Sequence, residues 1–140
     1  MQLPTLAATE AIGRNVFSSR AAKRARRRGV VIPEVFLERL EAESISVGRM
    51  GYVSNSVLAE LARGRGQDRH PPRNFHGWVI IEVSDAASRG RTVQATPTAT
   101  NPYHADIFLN LSADDKERRD KQIQHANDMA AHARWEDAPS

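Results

Sequence analysis

The spacing of apolar and polar positions predicts four strands in the middle and second half of the chain. Segments 44–48, 92–96 and 103–111 alternate apolar and polar side chains, and segment 75–83 is rich in β-branched and aromatic residues. The apolar centre of 75–83 predicts a strand that is covered on both faces. The link between 75–83 and 92–96 is about eight residues, too short for a crossover helix, so we expect these two strands to be antiparallel neighbours.

Helical periodicity predicts four helices around these strands. They are residues 6–28 with Gly29 as a stop, a helix that begins at Pro33, a helix capped by Ser54 or Asn55, and a long C-terminal helix from Ser112 to residue 134. The apolar stripe of the last helix is mostly alanine, so we expect it to pack lightly or against a partner. These elements together predict an α+β fold, in which a small, mostly antiparallel sheet has helices on one face.

Length and composition limit the class of protein. The chain has 140 residues and no cysteine, and its longest apolar runs are only a few residues. One hydrophobic core is therefore expected, with no disulfide framework, no thiolate metal site and no cysteine nucleophile. We predict neither a membrane span, which needs about 20 apolar residues, nor a secretory signal. A soluble cytoplasmic protein without a membrane partner is the expectation.

Positive charge is concentrated near the N-terminus. Residues 1–29 carry seven basic side chains and one acidic one, and four of the basic residues are Arg24, Arg26, Arg27 and Arg28. We interpret 1–29 as a basic helical arm and 30–140 as a single α+β domain. Such an arm can neutralise the phosphates of a nucleic acid or lie against an acidic protein partner. The alternative is an ordinary solvent-exposed helix that binds no partner. A GC-rich genome encodes arginine and alanine often, so such a helix would also be rich in these residues.

The segment Asn101-Pro-Tyr-His-Ala-Asp106 contains the strongest candidates for chemistry. Residues two apart share a face of a strand, so His104 and Asp106 project together with Cβ atoms about 7 Å apart. Histidine changes protonation near neutral pH, and a neighbouring carboxylate can orient it, which suits a general acid or base. Asn101 favours the tight turn that precedes the strand. The alternative is that His104 bonds a loop carbonyl and Asp106 is solvated.

Two weaker candidates surround this segment. Ser46 and Arg49, at the end of the segment 44–49, suggest a grip for an anion, although serines on an exposed strand face are common. Glu82 lies in a strongly apolar strand and needs a partner there, such as Arg49 or Arg91. The spacing of His125, Asp128 and His132 invites a metal interpretation, but seven helical residues separate the histidines by about 10 Å. No metal site and no cofactor are predicted.

Two short boxes carry a resemblance. The order of Ser-Ile-Ser-Val-Gly-Arg49 and Asn-Pro-Tyr-His-Ala105 resembles a group of short prokaryotic proteins to which no activity is attached. The resemblance spans residues 30–110 and implies that the Ser46 and Arg49 region and His104 belong to one architecture. Gly48 departs from the acidic or polar residue expected before Arg49, which weakens the anion grip.

Three functional hypotheses follow from the sequence. The leading one is a small binding or accessory module, with a basic arm for nucleic acid or an acidic protein and a polar pocket of Ser46, Arg49 and His104. The second is an enzyme acting on a nucleotide or RNA, with His104 as general acid–base, Arg49 on the phosphate and Asp106 or Glu82 orienting the histidine. The third is a structural subunit that forms an oligomer through its C-terminal helix.

Overall fold

The computed structural model describes residues 2–112 and 116–140 of the chain. Six strands and four helices are found in these residues, together with a 3₁₀ helix at Pro33–Phe36. The strands are β1 (Ala11–Val16), β2 (Ser44–Arg49), β3 (Gly77–Glu82), β4 (Thr92–Ala95), β5 (His104–Phe108) and β6 (Arg134–Asp137). The helices are α1 (Ser19–Arg28), α2 (Asn55–Gln67), α3 (Val83–Ala86) and α4 (Arg118–Ala131).

The six strands form one sheet in the order β4-β5-β2-β1-β3-β6, with every neighbouring pair antiparallel. The predicted α+β class and the antiparallel sheet are confirmed. The prediction that 75–83 and 92–96 are neighbours is wrong, because β3 pairs with β1 and β6 while β4 pairs with β5. A short link excludes a parallel crossover, but the nine residues 83–91, four of which form α3, still carry the chain past β1, β2 and β5 to the opposite edge of the sheet.

The N-terminal segment is part of the sheet. The helix predicted over 6–28 exists only as α1, and residues 11–16 form β1 between β2 and β3. Ile12 and Val16 are four positions apart, a spacing that fits a helix as well as a strand, and in the structure both are buried on one face of β1. The described part of the predicted arm thus contributes a central strand, β1, to the sheet.

The sheet is covered on both faces, although the sequence predicts helices on one. The first face carries Ile12, Ile45, Val79 and Ile107, which pack with Phe36 of the 3₁₀ helix, with α1 and with α4. The second face carries Trp78 and Ile80, which pack under α2. β3 is buried on both sides as predicted. The second face of β2 and β5 instead carries polar side chains, and it forms part of the candidate site.

The remaining helix predictions are partly confirmed. Gly29 ends α1 in the left-handed conformation with φ of 64°, and Ser54 caps α2 by accepting from Val57 N–H. The segment from Pro33 is one 3₁₀ turn rather than an α-helix. The predicted cap at 112–115 falls largely outside the described residues, and the last helix is described from 118 to 131.

The C-terminal helix packs on the protein's own core. Ala126, Met129 and Ala130 are buried on the first face of the sheet, and Ile123 is left 40% exposed. The chain then forms β6, which pairs with β3 and begins at Arg134, the residue at which the predicted helix ends. The alanine stripe is therefore already occupied, and docking of a second copy through it stays an unsupported prediction.

Candidate functional site

The second face of β2 and β5 holds a polar network around Asp106. Its carboxylate accepts hydrogen bonds from Ser44 Oγ at 3.2 Å, Ser46 Oγ at 3.4 Å and Thr96 Oγ1 at 2.7 Å. The register explains the grouping, because Ser46 lies opposite Asp106 and Gly48 opposite His104. The structure thus brings three predicted residues together, Ser46, His104 and Asp106, and adds Thr96, which sequence reasoning missed.

Thr96 links His104 to the carboxylate and determines which ring nitrogen carries the proton. Its hydroxyl donates its single proton to Asp106, so its oxygen is left to accept from His104 Nδ1 at 2.8 Å. The Thr96 carbonyl, 3.2 Å from the same nitrogen, can also only accept. Nδ1 is therefore the protonated nitrogen of a neutral His104, by inference from its partners, and Nε2 keeps its lone pair. In the described chain nothing hydrogen-bonds to Nε2.

His104 lines a cleft that opens where two strands separate. β1 and β2 are paired at Ile12 with Arg49 and at Gly13 with Gly48, and beyond these residues they diverge. The gap is a cleft of about 300 Å³, here called the arginine cleft. Its polar lining comprises Arg14, Asn15, Ser18, Glu34, Glu38, Ser46, Arg65, Arg69, Arg73, Asn101 and His104.

One of the four arginines in this lining has a structural role. Arg14 bridges the separated strands, because its guanidinium donates to the Val35 carbonyl at 3.2 Å and to the Ser46 carbonyl at 3.0 Å. It also pairs with Glu38 at 2.6 Å. Its donors and the charge of Glu38 are thus used within the protein, and Arg65, Arg69 and Arg73 remain on the opposite wall.

The loop after α2 delivers two of these arginines to the wall. The backbone N–H groups of Arg69 and Arg73 donate to the Gly66 carbonyl at 3.3 and 2.9 Å. Gly66 is required by this wrapping, since a Cβ there would collide with the Arg73 carbonyl and lie 3.1 Å from the Phe17 ring. The Arg69 guanidinium lies over Phe17 at 4.6 Å from the ring centroid, which fixes it by a cation–π contact.

Arg49 does not belong to the site, which corrects the predicted pocket of Ser46, Arg49 and His104. Alternation along β2 places Arg49 on the first face of the sheet, opposite to Ser46. Its side chain is 1% exposed and pairs with Glu10 through bonds of 2.7 and 2.8 Å. The hydrogen bonds that Arg49 donates to Glu10 raise the pKa of Arg49, against the opposing effect of burial. Arg49 has a structural role and cannot meet a ligand beside His104.

Glu82 is also remote from His104. It lies on β3, which β1 and β2 separate from β5, and it is exposed at the end of its strand. The predicted partner Arg91 is buried at the start of β4, where it pairs with Asp128 at 2.5 Å. Glu82 therefore cannot orient the histidine, and Asp106 acts on it through Thr96.

Asn101 has the turn role that the sequence predicts. Its side-chain oxygen accepts from the Tyr103 N–H at 3.1 Å, and its backbone exchanges hydrogen bonds with Thr98. This turn connects β4 to β5, and both Asn101 and His104 line the arginine cleft.

The basic residues of α1 divide into two groups. Arg26 joins α1 to β6, because it pairs with Asp137 at 2.6 Å, donates to the His76 carbonyl at 3.1 Å and lies over Trp135. Its hydrogen bond to Asp137 lowers the pKa of that carboxyl, with Trp135 adding to the effect. The other group is exposed and is here called the basic stripe; its members are Arg20, Lys23, Arg24, Arg27 and Arg28.

The basic stripe is held rigidly. Ala21, Ala22 and Ala25 are buried on the opposite side of α1, so the helix is fixed to the core. No ion pair with a stripe residue is present in 2–112 and 116–140. Ser18, which caps α1, lines the arginine cleft, and Ser19 borders the stripe, so both surfaces reach the start of α1.

The charged residues of α4 form a structural cluster. Asp128 pairs with the buried Arg91 and with Arg89, and Arg91 Nη1 donates to His125 Nδ1 at 2.8 Å. Burial raises the pKa of Asp128, but the bond from Arg91 and the charges of both arginines outweigh it and leave the pKa low. Burial and the charge of Arg91 lower the pKa of His125. His125 and Asp128, which invite a metal interpretation in the sequence, are therefore partners of a buried arginine.

Two features are absent from the described residues. The described residues contain no cluster of three or more histidine or acidic side chains suited to a metal ion. Across the same residues, no helix combines the length and apolar character that crossing a membrane requires. The resemblance to short prokaryotic proteins stays a prediction. Comparisons with protein-family models, with curated proteins and with solved structures found no match to this chain.

Proposed function

We propose that the protein is a binding module that contacts the phosphate backbone of a nucleic acid through the basic stripe. The observation that supports this most directly is the spacing of the stripe, whose residues recur every three or four positions and so share one face of α1. From Arg20 to Arg28 the face extends about 12 Å along the helix axis, the length of a few phosphates.

Nucleic acid fits this surface better than an acidic protein does. A backbone of regular phosphates matches a row of arginines, whose guanidinium groups bind phosphate oxygens in pairs. The arginine cleft adds three arginines, Arg65, Arg69 and Arg73, for which the described residues provide no acidic partner. Binding through phosphates alone reads no sequence, so we expect low sequence preference.

The test is the salt dependence of binding to a fluorescent single-stranded RNA and to a DNA duplex. We expect affinity to fall steeply with salt, and the triple variant R24Q/R27Q/R28Q to flatten the slope of log K against log salt by about 2 to 3. The matched control is R39Q/R89Q/R134Q, which removes three arginines whose side chains are 80%, 73% and 64% exposed outside the stripe.

Three outcomes count against the proposal. They are salt-independent binding, a stripe variant that behaves like the control variant, and binding to an acidic polypeptide at equal ionic strength that exceeds binding to both nucleic acids. The last result would indicate that the basic stripe binds an acidic protein instead, the other kind of partner that its positive charge allows.

A second candidate function is an enzyme that acts on RNA with His104 as general base. The hydrogen bonds from Thr96 support it, because they fix the tautomer whose Nε2 is free to accept a proton. In such a step His104 takes the proton of a ribose 2′-hydroxyl, whose oxygen bonds to the adjacent phosphorus. The bond from phosphorus to the 5′ oxygen breaks, and that oxygen takes a proton from water.

This candidate has a sharp test. RNA should be cleaved to 2′,3′-cyclic phosphate and 5′-hydroxyl ends, DNA should be inert, and H104Q should abolish cleavage. T96V should reduce the rate while leaving RNA affinity unchanged, because it removes the hydroxyl that orients the ring. Equal rates for the wild type and H104Q would exclude His104 as the base.

A further inference from the structure

We propose that the arginine cleft is a binding site for the terminal phosphate of a nucleotide, with Arg65, Arg69 and Arg73 as donors. It differs from the basic stripe, which would contact internal phosphates of a strand. Both a free mononucleotide and the end of a nucleic acid strand present this group, and the site's chemistry is the same for both. The inference does not depend on binding by the stripe.

The size of the cleft limits what can enter. Its volume of about 300 Å³ is at the lower end of the range for small-molecule sites. One nucleotide has a volume of this order. A duplex is too wide to enter, because its major groove alone measures about 12 Å across. The cleft also lies between two diverging strands, so its floor is held by the sheet rather than by a loop.

The charges in the cleft indicate where the phosphate lies. Four arginines and two glutamates line it, and Arg14 and Glu38 neutralise each other at 2.6 Å. Three arginines then face one glutamate, Glu34, which is exposed on the opposite wall. A phosphate monoester carries a charge between −1.5 and −2 at pH 7 and offers three strong acceptor oxygens, which suits the wall formed by these three arginines.

The three arginines have donors available. In the described part of the chain neither Arg65 nor Arg73 has a side-chain hydrogen bond or ion pair, and Arg69 contacts the Phe17 ring. The cation–π contact orders Arg69 before binding and leaves the edge of its guanidinium free, which lowers the entropy that binding costs. Asn101 and His104 also line the cleft, and their polar side chains can meet the hydroxyl groups of a ribose.

The experiment compares ligands that differ by one phosphate. Isothermal titration with adenosine, adenosine monophosphate and inorganic phosphate measures the contribution of that group. Two hexanucleotides, one with a 5′-phosphate and one with a 5′-hydroxyl, separate a strand end from a free nucleotide. We expect adenosine monophosphate to bind at least tenfold more tightly than adenosine. If a strand end is the source, the 5′-phosphorylated hexanucleotide binds more tightly than either adenosine monophosphate or the 5′-hydroxyl form.

Variants place the site in the cleft. R65Q/R73Q should lose at least tenfold in affinity for the phosphorylated ligands and little for adenosine. The matched control R39Q/R63Q removes two exposed arginines that do not line the cleft. Equal affinity for adenosine and its monophosphate overturns the inference, and so does a cleft variant that binds like the control. Thermal melting of each variant shows whether the fold is intact.

Failure of this inference and failure of the proposed function give different results. R24Q/R27Q/R28Q should keep the preference for adenosine monophosphate over adenosine, because the stripe does not line the cleft. Loss of that preference in the stripe variant would contradict a separate site. If hexanucleotides bind without salt dependence while the phosphate preference persists, the proposed function fails and the cleft site remains.

Discussion

At the scale of single residues, Arg49 and Glu10 form an ion pair that is almost entirely removed from water. Their side chains are 1% and 8% exposed, and two hydrogen bonds join them. Breaking such a pair on one side leaves a buried charge, which costs about 3–5 kcal/mol. We therefore expect E10Q to lower the free energy of unfolding by a few kcal/mol in a urea titration followed by circular dichroism.

The double variant E10L/R49M is the control for this prediction. With both charges replaced by apolar groups no buried charge is left, so part of the loss should be recovered. If E10Q unfolds at the wild-type urea concentration, the pair contributes nothing and the structural role assigned to Arg49 is wrong.

His125 should make stability depend on pH. Its pKa is lowered from the ordinary 6.5, by burial first and then by the charge of Arg91, while Asp128 opposes the shift and Arg89 adds to it. The unfolded chain therefore takes up the proton first as pH falls. The stability that the neutral His125 gives the fold is therefore fully present above pH 6.5. It is lost as the pH falls from there toward the lower pKa of His125 in the folded state.

The measurement is the free energy of unfolding between about pH 8 and about pH 5. H125N should flatten the decline toward acid pH, since its side-chain oxygen can still accept from Arg91 but takes up no proton. Part of the decline should remain in H125N, because burial and the charge of Arg26 also lower the pKa of His76. Q124N, a change at an exposed neighbouring position that carries no titratable group, serves as the control and should leave the slope unchanged. A decline in H125N as steep as in the wild type would contradict the assignment.

At the scale of elements, the strands with a clean period of two were predictable and the strands within mixed patterns were not. Alternation along β5 is sufficient to place His104 and Asp106 on one face, whereas Ser46 joins them only through the pairing of β2 with β5. β1 was hidden because Gly13 and Arg14 interrupt its apolar pattern. The reason for Gly13 is tertiary, since a Cβ there would lie 2.7 Å from Met50 Sδ and 3.3 Å from Trp78.

The arginine cleft was unpredictable for a related reason. Arg65, Arg69 and Arg73 are spread over a helix end and a loop that contains no large apolar residue, a pattern typical of solvated chain. Their grouping depends on the wrapping of that loop around Gly66 and on the divergence of β1 from β2. Neither the wrapping of the loop nor the divergence of the strands can be recognised in the local sequence, because both depend on contacts between segments distant in sequence.

Gly66 tests how the end of α2 supports the cleft. An alanine in a helix is ordinarily more stable than glycine by about 0.5–1 kcal/mol. At Gly66 the added Cβ meets the Arg73 carbonyl and the Phe17 ring, so we expect G66A to destabilise the fold by about 1–3 kcal/mol and to weaken phosphate binding. G64A is the matched control in the same helix, where nothing lies within 4 Å of a Cβ, and it should be stabilising.

Thermal melting and titration with adenosine monophosphate check this pair of variants. If G66A is as stable as G64A and binds as well as the wild type, the loop is not held in place by Gly66. If it is destabilised but still binds with wild-type affinity, the cleft does not depend on the loop conformation described here.

At the scale of the whole molecule, the order of the strands determines which terminal segment the fold can lose. β1 is the first strand in sequence and lies between β2 and β3, where it contributes residues to both hydrophobic cores. β6 is the last strand and lies at one edge with a single partner. Deleting residues 2–29 therefore removes two strand pairings and α1, whereas deleting residues 134–140 removes one pairing.

We expect the chain without residues 2–29 to show no cooperative thermal transition, because the sheet would be cut into two parts with exposed apolar faces. The chain without residues 134–140 should still melt cooperatively, at a lower temperature, since it loses the contacts of Trp135 and the pairing of Asp137 with Arg26. Circular dichroism and calorimetry measure both transitions. A cooperative melt in the N-terminal deletion would show that residues 1–29 are a dispensable arm after all. This distinction also governs how binding by α1 must be tested: charge-removing substitutions on the intact chain isolate the basic stripe, whereas deletion of the segment removes the core.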